Sequence, residues 1–413
     1  MIKTAGSVTA AKGFYAASCA AGIKYKNRTD MAMIYSDAPC EVAGTFTTNM
    51  VKAAPVLWDR EVVYSGKKVQ AVIVNSGIAN AATGKEGLDI CRQTADIAGA
   101  ELGIDPDAVL IGSTGVIGMQ IPIDRIKDGV VQLAKKKAAT LEAGTEASKA
   151  IMTTDTVNKE TAYQIELPAA DGDGSVTVTI GGMSKGSGMI HPNMCTMLGY
   201  ITTDAAIDKS LLQKATSEIV KDTFNMISVD GDTSTNDTLL VMANGKAGNA
   251  CIAEEGAAYD TFFAALKQIC EDLAIKMASD GEGATKLVTS KVLHMDTKEN
   301  ARILARSVIH SSLVKAMIFG KDANCGRVLC ALGYAGPEFD PNTVTVILKG
   351  EEKDVIFCEN GVVLPFDEEL ALELLSKDAV TLVSDMHMGE EEATAWGCDL
   401  TYDYVKINGD YRT

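Results

Sequence analysis

A chain of 413 residues has room for two domains at roughly 150 residues each, or three small ones, and its 38 basic against 55 acidic side chains give a formal charge of −17. That sign works against holding nucleic acid or an anionic membrane surface by bulk electrostatics, and 46% hydrophobic with 23% charged residues excludes a largely disordered chain. No run reaches the about eighteen apolar residues of a membrane helix, and the opening MIKTAGSVTAAKG lacks a signal peptide's apolar core. The ten cysteines form neither CxxC pairs nor zinc-spaced quartets, so buried free thiols in a reducing cytoplasm are expected.

In chain order, hydrophobic patterning predicts a strand over 71–74, a helix over 88–102, a strand over 109–111, a helix over 126–146 and a strand over 176–180. A helix over 209–223, a strand over 239–242 and long helices over 259–278 and 301–319 follow, then a strand over 344–348 and a helix over 368–376. The alternation of Leu400, Tyr402 and Tyr404 reads as a closing strand. The class is α/β or α+β, with neither repeats nor Pro/Ser linkers. The DGEGA turn at 280–284, after a long helix, is the expected border between domains 1–280 and 281–413.

GxGxxG before a helix, GxxxxGK[ST] and HExxH are all absent, so neither a nucleotide site nor a zinc protease is signalled. The four histidines, at 191, 294, 310 and 387, read as structural. The unusual segment is KGSGMIHPNMCTMLGY, residues 185–200, with glycines, a proline and an asparagine around Thr196. A threonine hydroxyl needs an adjacent base to act as a nucleophile. Cleavage just before it supplies one, because the freed α-amine has a pKa near ~8. On residue types alone, that reading stands beside a plain loop between two strands.

The same segment, together with STGVIG at 113–118, MTTDT at 152–156 and the closing INGDYRT, resembles the ornithine acetyltransferase family, also called bifunctional glutamate N-acetyltransferase. FTTNMVKAAPV from Phe46, NSGIANAATG from Asn75, GDTSTNDT from Gly231 and DGEGATK from Asp280 extend the resemblance over essentially the whole chain. Cys195 stands where the family has alanine, Ile78 where it has asparagine, Cys325 where it has tryptophan and Gly409 where it has alanine. None of these departures removes a candidate catalytic group.

The resemblance implies a two-domain α/β fold with β-sheets sandwiched between helices. It also implies self-cleavage between Cys195 and Thr196 into chains 1–195 and 196–413, paired as an α2β2 heterotetramer. Thr196 becomes the acetyl carrier, one residue after the rival nucleophile Cys195, and the oxyanion hole falls on Thr114 and Gly115. Substrate contacts fall on Thr154, Lys185, Thr196, Glu282, Asn408 and Thr413, with Thr153 and Thr156 open as alternatives to Thr154. The implied reaction moves acetyl from N2-acetylornithine to glutamate in arginine biosynthesis, without metal or cofactor and with acetyl-CoA open as a second donor. The alternative is an N-terminal-nucleophile amidohydrolase or aminopeptidase that passes the acyl group to water.

Overall fold

The computed structural model describes residues 1–191 and 197–410. They form two compact units, Met1–Gly186 with Pro192–Lys221 and Thr233–Leu273, and Ala274–Thr413 with Ser187–His191 and Asp222–Asp232. Two short segments from the first 280 residues, and residues 274–280 besides, thus belong to the second unit.

The first unit is built on a nine-stranded mixed sheet. Its strands run in the order Ile2–Thr4, Lys159–Pro168, Ser175–Lys185, Leu198–Thr203, Thr238–Ala243, Met31–Phe46, Val69–Asn75 and Val109–Ser113, with Phe14–Cys19 also paired to Met31–Phe46. Leu198–Thr203 is buried along its whole length, antiparallel to Ser175–Lys185 and parallel to Thr238–Ala243. Val69–Asn75 and Val109–Ser113 are parallel neighbours, and their β-branched runs lack polar alternation because both faces are covered. Helices close these faces through two apolar clusters. One contains Ile90, Cys91, Ala95, Ile126, Val130 and Leu133; the other gathers Ala147 and Ala150 with Leu240 and Met242.

The second unit holds a seven-stranded sheet in the order Val362–Val363, Val355–Glu359, Thr345–Leu348, Ala379–Asp385, Leu287–Met295, Glu391–Cys398 and Ile227–Ser228. Helix Lys298–His310 buries Ala301, Leu304, Ala305, Val308 and Ile309, a stripe at helical spacing. Among the described residues no single helix is long and apolar enough to cross a membrane.

Three expected elements are corrected. The helix over 126–146 is two helices, Ile123–Lys136 and Leu141–Ala150, because Ala138 leaves the helix to exchange two 2.9 Å backbone hydrogen bonds with Ala16. Thr140 then caps the second helix, its Oγ1 accepting from Ala143 N–H. The helix over 301–319 breaks at Ser311, whose hydroxyl caps Ser312–Gly320 by accepting from Val314 N–H at 3.3 Å. The closing strand is instead the helix Tyr402–Gly409. Tyr402 is 85% and Val405 70% exposed, so the alternation marked no buried face.

Candidate active site

The two parallel strands Val69–Asn75 and Val109–Ser113 end side by side, with Asn75 opposite Ser113, and each leads into a glycine-containing turn. The turns clamp one another. Thr114 N–H donates to Asn75 O at 3.0 Å, Val116 N–H to Gly77 O at 3.2 Å and Ala79 N–H to Val116 O at 2.9 Å. Ser113 Oγ accepts from Asn80 N–H at 2.8 Å and Asn75 Nδ2 donates to Ile78 O at 2.8 Å, while Asn236 Nδ2 anchors Ser113 O at 2.8 Å. Gly115 has a φ of +128°, and a Cβ there would lie 2.3 Å from Gly77 C and 2.4 Å from Gly77 O. Only glycine permits this approach. No acceptor among the described residues takes the Gly115 N–H.

Lys185, the last residue of Ser175–Lys185, reaches this turn. Its Nζ donates to Thr153 Oγ1 at 2.8 Å and to Thr114 Oγ1 at 3.4 Å, and its side chain is only 10% exposed. The Thr114 oxygen is therefore occupied as an acceptor, which turns its own proton away from the lysine. Asp155 balances the lysine charge from 3.9 Å and also receives Lys159 Nζ at 2.7 Å, Gly186 N–H at 2.7 Å and Thr153 N–H at 3.0 Å. Burial pushes the Asp155 carboxyl upward, but Lys185 and Lys159 outweigh it and hold the pKa lowered to about 2. Of the threonines left open, Thr153 accepts from the lysine, Thr154 is half-buried in the same turn and Thr156 is exposed. Neither Asp155 nor Lys159 was singled out from the sequence, although the aspartate within MTTDT was its visible signal.

Ser175–Lys185 pairs Lys185 directly with Leu198, and Thr238 N–H donates to Met197 O at 2.8 Å. Thr196 and Cys195 themselves lie outside the described residues, as does Thr413.

In the second unit Glu282 and Asn408 meet, with Asn408 Nδ2 donating to Glu282 Oε2 at 2.8 Å. Glu282 is buried, and its N–H donates to Ser187 O at 2.8 Å. Gly188 leaves the space its carboxylate fills, since a Cβ there would fall 2.2 Å from Glu282 Cδ. Asp230 accepts from Met189 N–H at 2.6 Å and Ile190 N–H at 2.9 Å, fixing the chain on the far side of that glycine. Burial, followed by the nearby Asp230 charge, raises the Tyr404 phenol. Asp399 secures the DGEGATK turn by accepting from Thr285 N–H at 2.8 Å and Lys286 N–H at 3.1 Å. His191 is structural here. Burial, Arg306 and His310 lower its pKa to about 4, so it is neutral, and it accepts from Arg306 Nη2 at 3.0 Å on Nε2 while Nδ1 faces Ser228 Oγ at 3.0 Å. Gly188, Asp230 and Asp399 carried no sequence signal beyond their place in or near the motifs.

A buried lysine beside a hydroxyl and a backbone N–H that no described residue accepts is an arrangement suited to acyl transfer on an α/β scaffold. The comparisons agree. The chain belongs to the ArgJ family, whose model matches residues 15–413. It is 50% identical over 411 residues to the arginine biosynthesis bifunctional protein ArgJ of Symbiobacterium thermophilum, covering 99% of each chain. It is 46% identical over 408 residues to the protein of that name from Caldanaerobacter subterraneus, again covering 99% of each. A solved ArgJ structure from Bacillus halodurans aligns at 43% identity over 51% of this chain and 97% of that one, with a TM-score of 0.49.

Proposed function

We propose that this enzyme transfers an acetyl group from N2-acetylornithine to glutamate through an ester on Thr196, as a step of arginine biosynthesis. The observation that carries the reading is the STG turn. The Thr114 hydroxyl accepts from Lys185 and so directs its proton elsewhere, and the Gly115 N–H is free of any acceptor among the described residues, leaving two donors for a developing oxyanion.

In maturation, the Thr196 hydroxyl attacks the Cys195 carbonyl and the peptide nitrogen leaves as an amine. Water then hydrolyses the resulting ester, giving chains 1–195 and 196–413, which stay together in an α2β2 assembly in the cytoplasm. In turnover, the Thr196 α-amine takes the hydroxyl proton as the oxygen attacks the acetyl carbonyl. Ornithine departs with that proton on its amine, and the glutamate amine then attacks the acetyl ester and restores Thr196. Donor and acceptor use one site in turn, so the kinetics are ping-pong. Lys185 and Thr154, with Glu282, Asn408 and Thr413, supply complementary groups for an amino acid's carboxylate and amines. The transfer requires neither cofactor nor metal, and acetyl-CoA is the second donor to be tested.

The deciding experiment is denaturing intact-mass analysis with and without acetylornithine. Two chains beginning at Met1 and Thr196, with one acetyl group gained by the second, are expected, and Thr196→Ala should leave one uncut, inactive chain. Normal cleavage in that variant overturns the nucleophile assignment. Accumulation of acetate in place of acetylglutamate shifts the reading to the amidohydrolase.

A further inference from the structure

His294, Asp385 and His387 have no part in the chemistry above, yet their ligand atoms all fall within 4.8 Å of one another. Both imidazoles turn Nδ1 toward the same carboxylate oxygen. His294 Nδ1 lies 2.8 Å and His387 Nδ1 3.4 Å from Asp385 Oδ1. A tetrahedral ion with metal–nitrogen bonds of about 2.0–2.1 Å sets its ligand atoms roughly 3.3–3.4 Å apart, so small side-chain shifts suffice to close the site. His387 N–H also donates to Asp385 Oδ1 at 3.1 Å, so this carboxylate gathers both histidines, whose rings are inclined 17° to one another.

The backbone holds these groups in place. Asp385 ends strand Ala379–Asp385 and pairs with Leu293 on one side and Thr345 on the other. His294 sits in the irregularity between Val292 and Met295, where its carbonyl accepts from Met388 N–H at 2.7 Å and Gly389 N–H at 2.9 Å. Gly389 allows that approach, because a Cβ there would fall 2.5 Å from Met295 O. Both histidines adopt left-handed backbone, with φ of 52° and 54°, a conformation uncommon for a side chain of this size and sustained here by the surrounding hydrogen bonds. Outside the pair, His387 Nε2 lies 3.3 Å from Thr345 Oγ1, the kind of contact that fixes the tautomer of a ligating imidazole.

We propose that His294, Asp385 and His387 bind one borderline divalent transition-metal ion of the Zn²⁺ class, with a fourth position open to water. Two imidazole nitrogens and a carboxylate oxygen select such an ion over Ca²⁺ or Mg²⁺. The histidine side chains are 53% and 48% exposed, which leaves the fourth position to solvent. On binding, each imidazole takes the tautomer that carries its proton on Nε2, and each Nδ1 and one carboxylate oxygen give a lone pair to the ion. The site shares no residue with the proposed transfer chemistry. Its role is to pin the end of Leu287–Met295 to the end of Ala379–Asp385.

The test is titration of the full, chelator-treated protein with Zn²⁺ alone, read by competition with a chromophoric chelator, and with Co²⁺, read by its visible d–d bands. One equivalent of metal, a rise in melting temperature on adding Zn²⁺ and a Co²⁺ spectrum of low coordination number are expected. His294→Asn and His387→Asn, which keep a residue tolerant of left-handed backbone, should each weaken binding by about 100-fold or more and abolish the melting shift. Absence of saturable binding overturns the proposal. So does one-equivalent binding that persists in the double Asn variant, which would put the ion on another group such as the exposed Cys251 or Cys330.

Discussion

Gly115 and Gly118 offer a matched pair of substitutions within one turn. Both have left-handed backbone, with φ of +128° and +87°, so alanine at either position carries strain of roughly 1–3 kcal/mol. They differ in surroundings: a Cβ at Gly118 meets nothing within 4 Å, whereas one at Gly115 falls 2.3 Å from Gly77 C, 2.4 Å from Gly77 O and 2.7 Å from Ile78 N. Those atoms are backbone held by the clamp between the turns, so ordinary contact at about 3.5 Å requires the two turns to part by roughly 1 Å. Overpacking of this kind costs about 1–3 kcal/mol beyond the backbone strain, and that excess is the expected stability difference between Gly115→Ala and Gly118→Ala. The same displacement swings the Gly115 N–H out of line. Loss of one oxyanion donor lowers kcat by about 10²–10³, so Gly115→Ala should lose at least about 100-fold in acetyl transfer while Gly118→Ala stays near wild type. Thermal denaturation and steady-state assay of both variants decide the matter. Equal melting temperatures, or wild-type kcat in Gly115→Ala, would refute the clamp and the donor assignment respectively.

Thr114→Ala removes the second proposed oxyanion donor and should lower kcat by about 100-fold with KM little changed; a change confined to KM would move Thr114 from the oxyanion to ground-state binding. Asp155→Asn leaves Lys159 and Lys185 without their shared counter-charge and should destabilise the fold by about 3–5 kcal/mol, as measured by urea denaturation. Because the folded-state pKa of Asp155 is depressed to about 2, its contribution in the unmutated protein is present above the unfolded value of 3.8 and fades as pH falls toward 2. Asp59 behaves oppositely. Burial raises its pKa well above 3.8, so the stability of its neutral form is full below that value and is lost as pH rises toward the folded pKa. Asp59→Asn keeps an acceptor for Ile111 N–H, and its advantage over the unmutated protein should grow with pH by up to about 1.4 kcal/mol per unit; parallel stability–pH curves would exclude this.

Elements set by local pattern were legible in the sequence, and those set by distant partners were not. The runs over 71–74 and 109–111 are β-branched and buried on both faces, and they became strands as read. The stretch Lys135, Lys136, Lys137, Ala138 favours helix by composition, and what ends the helix there is pairing to Ala16, more than a hundred residues away in sequence. The polar SDAPCE inside Met31–Phe46 hid a sixteen-residue strand, whose register shifts between Tyr35 and Cys40. The motifs marked Thr114 and Lys185 in the first unit and Glu282 in the second, but the charge balance around Lys185 depends on Asp155 and on a lysine, Lys159, that lies outside every motif. Gly188 lies inside the glycine-rich segment 185–200, but its particular role does not show there, because its meaning lies in the Glu282 carboxylate that occupies the space where its side chain would be.

The order of strands in the larger sheet bears on what a cut before residue 196 would do. Leu198–Thr203 and Thr238–Ala243 lie between Ser175–Lys185 and Met31–Phe46, so two strands from the downstream fragment are intercalated among strands of the upstream one. Hydrolysis of one peptide bond leaves that ladder intact, and neither fragment can leave without opening the outer edges of two fully buried strands. An enzyme cut there would be a fragment-complementation complex: the two polypeptides should co-elute under native conditions and part only in denaturant. Their first unfolding is independent of protein concentration. Refolding becomes bimolecular and slows on dilution, so a protein assembled once as a single chain has no equally fast way back after it has been cut and unfolded.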